Sequence, residues 1–143
     1  MPIDPNLVGN LSCFRTLSED QKRKIAQIAN VICYPPNHVI FKEGEPGKNL
    51  YFLSKGKIEI LYGIGEEGQA HVETISGEEV VGCSALMEPY TYSASMRSLS
   101  EIEVFVVDAA SLRELMQKDC KFGFILQQQI IKLLMMRIMD FRL

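Results

Sequence analysis

The sequence predicts a mainly β fold, an antiparallel sandwich or roll with helices at both ends. Three observations lead there. From Val31 onward, short β-rich runs (VICY, HVIF, LYFL, KIEILY) are separated by turn residues, namely Pro35-Pro36-Asn37, Gly44-Glu45-Pro46-Gly47 and Lys55-Gly56. Before Val31 and after Asp108, apolar residues recur at helical spacing instead. The length of 143 residues suits one domain, large enough to bury a core without disulfides or metal. The expected organisation is a single domain over 1–143, with N-terminal helices in 1–30, the β region in 31–108 and C-terminal helices in 109–143.

Leu7, Val8, Leu11 and Phe14 lie at helical spacing in the lead-in and predict a short helix or helical turns. Ser18 and Gln21 have the spacing of a capping box. The stretch SEDQKRKIAQIA behind them carries acids in its first turn and Ile25, Ile28 and Ala29 on one face. After the first β runs, Ile58, Ile60 and Tyr62 alternate with Lys57, Glu59 and Leu61. Beyond the Gly63-to-Gly68 loop, Ala70, Val72 and Thr74 alternate with Gln69, His71 and Glu73. These two runs predict a hairpin with one wet face.

Gly77 to Ser98 (GEEVVGCSALMEPYTYSASMRS) organises the rest. It reads as a turn, a small-residue loop Gly82-Cys83-Ser84-Ala85, one turn of helix, Pro89 and an alternating strand. Backbone N–H groups at such a loop can hold an anion without side-chain charge, but Gly82 and Ser84 equally suit a tight turn and a helix cap. Ile102, Val104 and Val106 then form a further alternating strand ending at Asp108. That residue can cap a helix bearing Leu112, Leu115 and Met116, and Asp119 can cap the next. In this last helix Phe124, Gln127, Ile131, Leu134, Ile138 and Phe141 follow the 3, 4, 3, 4, 3 spacing of a coiled-coil seam. Leu126, Ile130, Leu133 and three methionines add more apolar surface than one seam requires. The excess predicts two neighbours, the helix's own domain and a partner helix.

Composition excludes several classes. A net charge of -3 with one short basic run, Lys22-Arg23-Lys24, argues against a chain-wide footprint for nucleic acid or anionic membrane. Cys13, Cys33, Cys83 and Cys120 are irregularly spaced with no Cys-x-x-Cys, so no metal site is expected and reduced thiols in the cytoplasm are. No uninterrupted apolar stretch has the length of a membrane span. His38 and His71 stand outside any catalytic constellation, and no catalytic residue is assigned.

Several offsets taken together resemble the cyclic-nucleotide-binding domain family, as in the catabolite activator protein and the regulatory subunits of protein kinase A. The residues are Tyr34-Pro35, Ile40-Phe41-Lys42-Glu43-Gly44-Glu45-Pro46-Gly47, Leu50-Tyr51-Phe52-Leu53 with Gly56 and Ile58, Gly77-Glu78, Val81-Gly82 and Ser84-Ala85-Leu86. The resemblance implies an antiparallel β-roll of the double-stranded β-helix (jelly-roll) type, with flanking helices and a long C-terminal helix. It makes Gly82 to Arg97 the phosphate-binding cassette. At two positions this chain departs from the family. Where the family has a Glu for the ribose hydroxyl it has Cys83, a poor acceptor. Where the family has an Arg for the cyclic phosphate it has Tyr92, which brings neither charge nor a guanidinium fork.

The expected function is a non-catalytic regulatory module for a small ligand, with lost or altered cAMP and cGMP specificity, acting through its C-terminal helix. Gly82, Cys83, Ser84, Ala85, Tyr92 and Ser93 are the candidate pocket residues, and no other cofactor is assigned. The seam from Phe124 to Phe141 is the candidate homodimer contact, with an unidentified small molecule or protein as a further partner and no nucleic acid bound by this chain alone. The alternatives are a ligand-free dimerisation scaffold and the sensor portion of a catabolite-activator-type transcription regulator.

Overall fold

The computed structural model describes residues 4–63, 69–76 and 79–140. The chain forms two compact units, a helical one from the segments up to Asn30 and from Ala110 on, and a β unit spanning Val31–Ala109.

In the helical unit, α1 (Pro5–Val8) and a 3₁₀ turn (Ser12–Phe14) realise the helical spacing of the lead-in, with Val8, Leu11 and Phe14 buried. The capping box at Ser18 is complete: its Oγ accepts from the Gln21 N–H, and the Gln21 side chain accepts from the Ser18 N–H. The helix it opens, α2 (Glu19–Gln27), is shorter than the sequence pattern suggests. Ile28 leaves helical geometry and Ala29 already belongs to the first strand. Asp119 caps the long helix as expected, its Oδ1 accepting from Phe122 N–H at 3.1 Å. Of the C-terminal helices α3 (Ala109–Lys118) and α4 (Cys120–Asp140), the second buries Phe122, Leu126 and Ile130 along one stripe.

The β unit consists of two four-stranded sheets. One has the order β1 (Ala29–Tyr34), β8 (Ile102–Asp108), β3 (Asn49–Lys55), β6 (Glu79–Val81). The other runs β2 (Val39–Phe41), β7 (Ser95–Ser98), β4 (Lys57–Gly63), β5 (Gln69–Ser76). This is the antiparallel jelly-roll arrangement: β3 pairs antiparallel with β6 and β8, and β4 with β5 and β7. Phe41, Tyr51, Leu53, Ile58, Val81, Met96, Val104 and Val106 from both sheets share one core. β3 and β8 are buried on their other face as well, where Phe52 and Phe105 meet edge to face with centroids 6.2 Å apart.

The β4–β5 hairpin forms, but its outer face on β4 is not wet: Glu59 is 7% exposed and Leu61 6%. Two features close it. Arg97 stands opposite Glu59 in the β4–β7 register and binds Glu59 Oε1 through Nε at 2.6 Å and through a second guanidinium nitrogen. The turn after β2 is tied down beside Leu61, with Glu43 N–H donating to Ser95 Oγ at 2.9 Å and Gly63 N–H donating to Glu43 Oε1 at 2.7 Å. Arg97 is therefore the partner of a buried carboxylate, while its own side chain is 41% exposed. The His71 side chain and the loop acids Glu66 and Glu67 lie outside the described residues.

Removing the guanidinium takes the Arg97 charge away from the buried Glu59 carboxylate. Because Arg97 itself is 41% exposed, the full penalty of a buried pair is discounted for solvent screening. Arg97→Leu is expected to lower the unfolding free energy by about 1 to 3 kcal/mol in urea denaturation. Adding Glu59→Leu should recover part of that loss.

Candidate ligand site

Gly82 opens the site. It adopts φ 83° and ψ 27°, a left-handed conformation that is easy only for glycine, and so turns the chain from β6 into a 3₁₀ turn, Cys83–Leu86. The space above it is also tight, since a Cβ there would lie 3.3 Å from the Tyr92 ring. Cys83 and Ser84 are half-buried and Ala85 is buried. The single turn uses one of the loop's backbone donors itself, Ala85 N–H donating to Gly82 O at 3.0 Å, and closes with Met87 N–H donating to Ser84 O at 3.2 Å. Ser84 Oγ accepts from Ser93 N–H at 3.3 Å, joining the two ends of the loop.

The turn after β2 holds this loop from the other side. Gly47 N–H donates to Tyr90 O at 2.7 Å, Tyr92 N–H to Glu45 O at 3.0 Å and Gly44 N–H to Tyr92 O at 2.8 Å. Contact is close enough to require a residue without a side chain, because a Cβ on Gly47 would stand 2.8 Å from Ala85 Cα.

Tyr92 lies inside this clasp, 4% exposed. Its ring stacks on Phe41 with centroids 3.9 Å apart and planes 17° apart, and Phe41 in turn stacks on Tyr51 at 5.5 Å. The Tyr92 hydroxyl donates to Asn49 O at 2.7 Å and accepts from Asn49 N–H at 3.1 Å, so both its donor and one acceptor position are committed to the start of β3. Burial pushes the Tyr92 hydroxyl pKa upward, with the charge of Glu45 adding to the effect and the Asn49 hydrogen bond opposing it. Burial likewise pushes Tyr51 up, to about 12. Both phenols are neutral hydrogen-bonding groups at physiological pH. Among the described residues, no group of three or more His, Cys, Asp or Glu side chains could hold a metal ion.

A family profile described as the cyclic nucleotide-binding domain matches residues 31–119. The chain belongs to that family. A crystal structure of a candidate cyclic nucleotide-binding protein from Geobacter metallireducens is 27% identical and superposes with a TM-score of 0.86, covering 95% of this chain and 98% of that one. The cAMP-dependent protein kinase regulatory subunit of Pyricularia oryzae is 28% identical over 112 residues, 78% of this chain and 28% of the relative. A CRP-like cAMP-activated global transcriptional regulator of Mycobacterium tuberculosis is 30% identical over 81 residues, 56% of this chain and 36% of the relative. The domain spans 27%, 9% and 28% of the length of the first three curated relatives it matches, so it corresponds to a part of each.

The fold brings together the candidate pocket residues Gly82, Cys83, Ser84, Ala85, Tyr92 and Ser93, with Ser93 exposed and Tyr92 buried. Gly77 and Glu78, which the sequence reading includes in the same stretch, lie outside the described residues. Sequence reasoning did not identify Asn49 or Phe41 as partners of Tyr92. Phe41 carried a signal as an apolar residue of a β run, but Asn49 takes part through its backbone, which leaves no mark in a sequence. Along α4, Phe124, Ile131 and Ile138 of the seam are exposed, as is Gln127, whereas Leu134 is half-buried and Phe141 lies outside the described residues.

Tyr92→Phe keeps the stacked ring and removes only the hydroxyl, leaving the Asn49 N–H and carbonyl without it. The expected cost is about 1 to 3 kcal/mol in chemical denaturation, with the folded-state spectrum unchanged.

Proposed function

We propose that this cyclic nucleotide-binding domain is a non-catalytic regulatory module whose cAMP and cGMP specificity is lost or altered, and which signals through its C-terminal helix. The observation that carries the reading is the state of Tyr92. It stands at the cassette position where the family resemblance places the phosphate-binding Arg, and its hydroxyl is bound to Asn49 while its ring rests on Phe41. An aromatic side chain so engaged brings no positive charge to a cyclic phosphate. Cys83 likewise offers a thiol where a ribose hydroxyl would need a carboxylate. Losing a desolvated, charge-assisted contact costs about 2 to 5 kcal/mol, enough to move a micromolar ligand toward millimolar. Calorimetric titration with cAMP and with cGMP is expected to show no saturation in the micromolar range, and a low-micromolar dissociation constant would overturn the reading. The double change Cys83→Glu with Tyr92→Arg is expected to restore measurable cAMP binding.

A second reading, compatible with the first, is favoured by the exposure along α4. Phe124 is 63% exposed, Ile131 56%, Met135 55%, Met136 54% and Ile138 56%, on a helix that already buries Phe122, Leu126 and Ile130 elsewhere. Large apolar side chains spaced along one helix favour pairing with an identical helix, and isologous pairing closes a two-fold dimer. None of the described helices is long and apolar enough to cross a membrane, so this face is not that of a spanning helix. Sedimentation is expected to show a concentration-dependent dimer that Ile131→Glu with Ile138→Glu converts to monomer. A concentration-independent monomer would remove dimerisation from the proposal.

A further inference from the structure

A cavity of about 240 Å³ opens beside Tyr92 on the side of the turn after β2. None of the residues 82–87 lines it. Its lining includes Phe41, Tyr51 and Tyr92 with Ile40, and the charged Glu45 and Lys48. We propose that this cavity binds a small zwitterion with an aromatic side chain, of the size and charge pattern of an aromatic α-amino acid, its ammonium toward Glu45 and its carboxylate toward Lys48.

Size, wall chemistry and charge each narrow the ligand. The volume falls below the roughly 300 to 1,000 Å³ of sites for drug-sized ligands, which suits a single ring with a short polar end. Phe41, Tyr51 and Tyr92 are 6%, 5% and 4% exposed, so only a narrow strip of their stack reaches the cavity, where a further ring can meet it edge to face. Glu45 adds to the upward shift of both the Tyr51 and the Tyr92 hydroxyls, which places its negative charge within electrostatic reach of the aromatic walls. One oxygen of that carboxylate, Oε1, accepts from Lys42 N–H at 2.6 Å and fixes the side chain over the turn. A simple anion meets repulsion from Glu45, and a simple cation meets repulsion from Lys48. A zwitterion satisfies both groups at once, the complementarity that gives charged sites their selectivity.

The proposal goes beyond the reading of the cassette, because a domain that binds no cyclic nucleotide can still take this ligand. Calorimetric titration of the whole chain with L-phenylalanine tests it, alongside phenylacetate, 2-phenylethylamine and L-alanine, which lack the ammonium, the carboxylate and the ring respectively. L-phenylalanine is expected to saturate, with each of the other three at least about tenfold weaker. Glu45→Gln retains an acceptor for Lys42 N–H, and Lys48→Met changes an exposed side chain, so both variants are expected to keep the parent melting temperature. Each should weaken L-phenylalanine by a similar factor. No saturable binding of L-phenylalanine, equal binding of any of the three analogues, or unchanged binding by both variants would each overturn the proposal.

Discussion

The β unit turns on one contact, the Tyr92 hydroxyl bound at both the carbonyl and the N–H of Asn49. A buried phenol is stable only with its hydrogen bonds made, so the cassette must approach the start of β3 closely enough to provide them. Phe41 then has a ring to stack on, and the turn after β2 can close over the same place through Gly44, Glu45 and Gly47. Gly47 allows the approach because it has no side chain to collide with Ala85. Anchoring of the cassette thus comes from an aromatic side chain and backbone groups, where the family resemblance leads one to look for an ionic ligand contact.

This exchange has a functional logic. An arginine in a ligand pocket is costly to bury unless an anion completes it, so its site favours the bound state. A neutral tyrosine whose hydroxyl is already bonded to backbone carries no such demand, and the loop can be well ordered without a ligand. Tyr92 also lines the cavity that Phe41, Tyr51, Glu45 and Lys48 share.

The helical unit separates its tasks by face. Phe122, Leu126 and Ile130 recur at intervals of four and are buried, whereas Phe124, Ile131 and Ile138 follow the seam spacing and are exposed. The excess of apolar residues over one stripe was legible in the sequence, because helical periodicity assigns every residue an angle around the axis. Which stripe would be buried was not, since both are apolar. The β4 strand illustrates a similar limit. Its alternation was visible, but the burial of Glu59 depends on Arg97, 38 residues away in sequence, and that of Leu61 on a turn from a different part of the chain.

By itself the sequence determined the local structure and the family. The capping box at Ser18, the Asp119 cap, the β runs between turn residues and the offsets around Gly82 all depend on neighbours within a few positions, where residue type and geometry are directly linked. It also singled out the candidate pocket around Gly82 and marked Cys83 and Tyr92 as departures from the family pattern. The tertiary structure alone decided what Tyr92 touches. Its partners lie 43 and 51 positions away and one of them contributes only backbone atoms, which are the same in every residue, so no pattern of side chains could have named them.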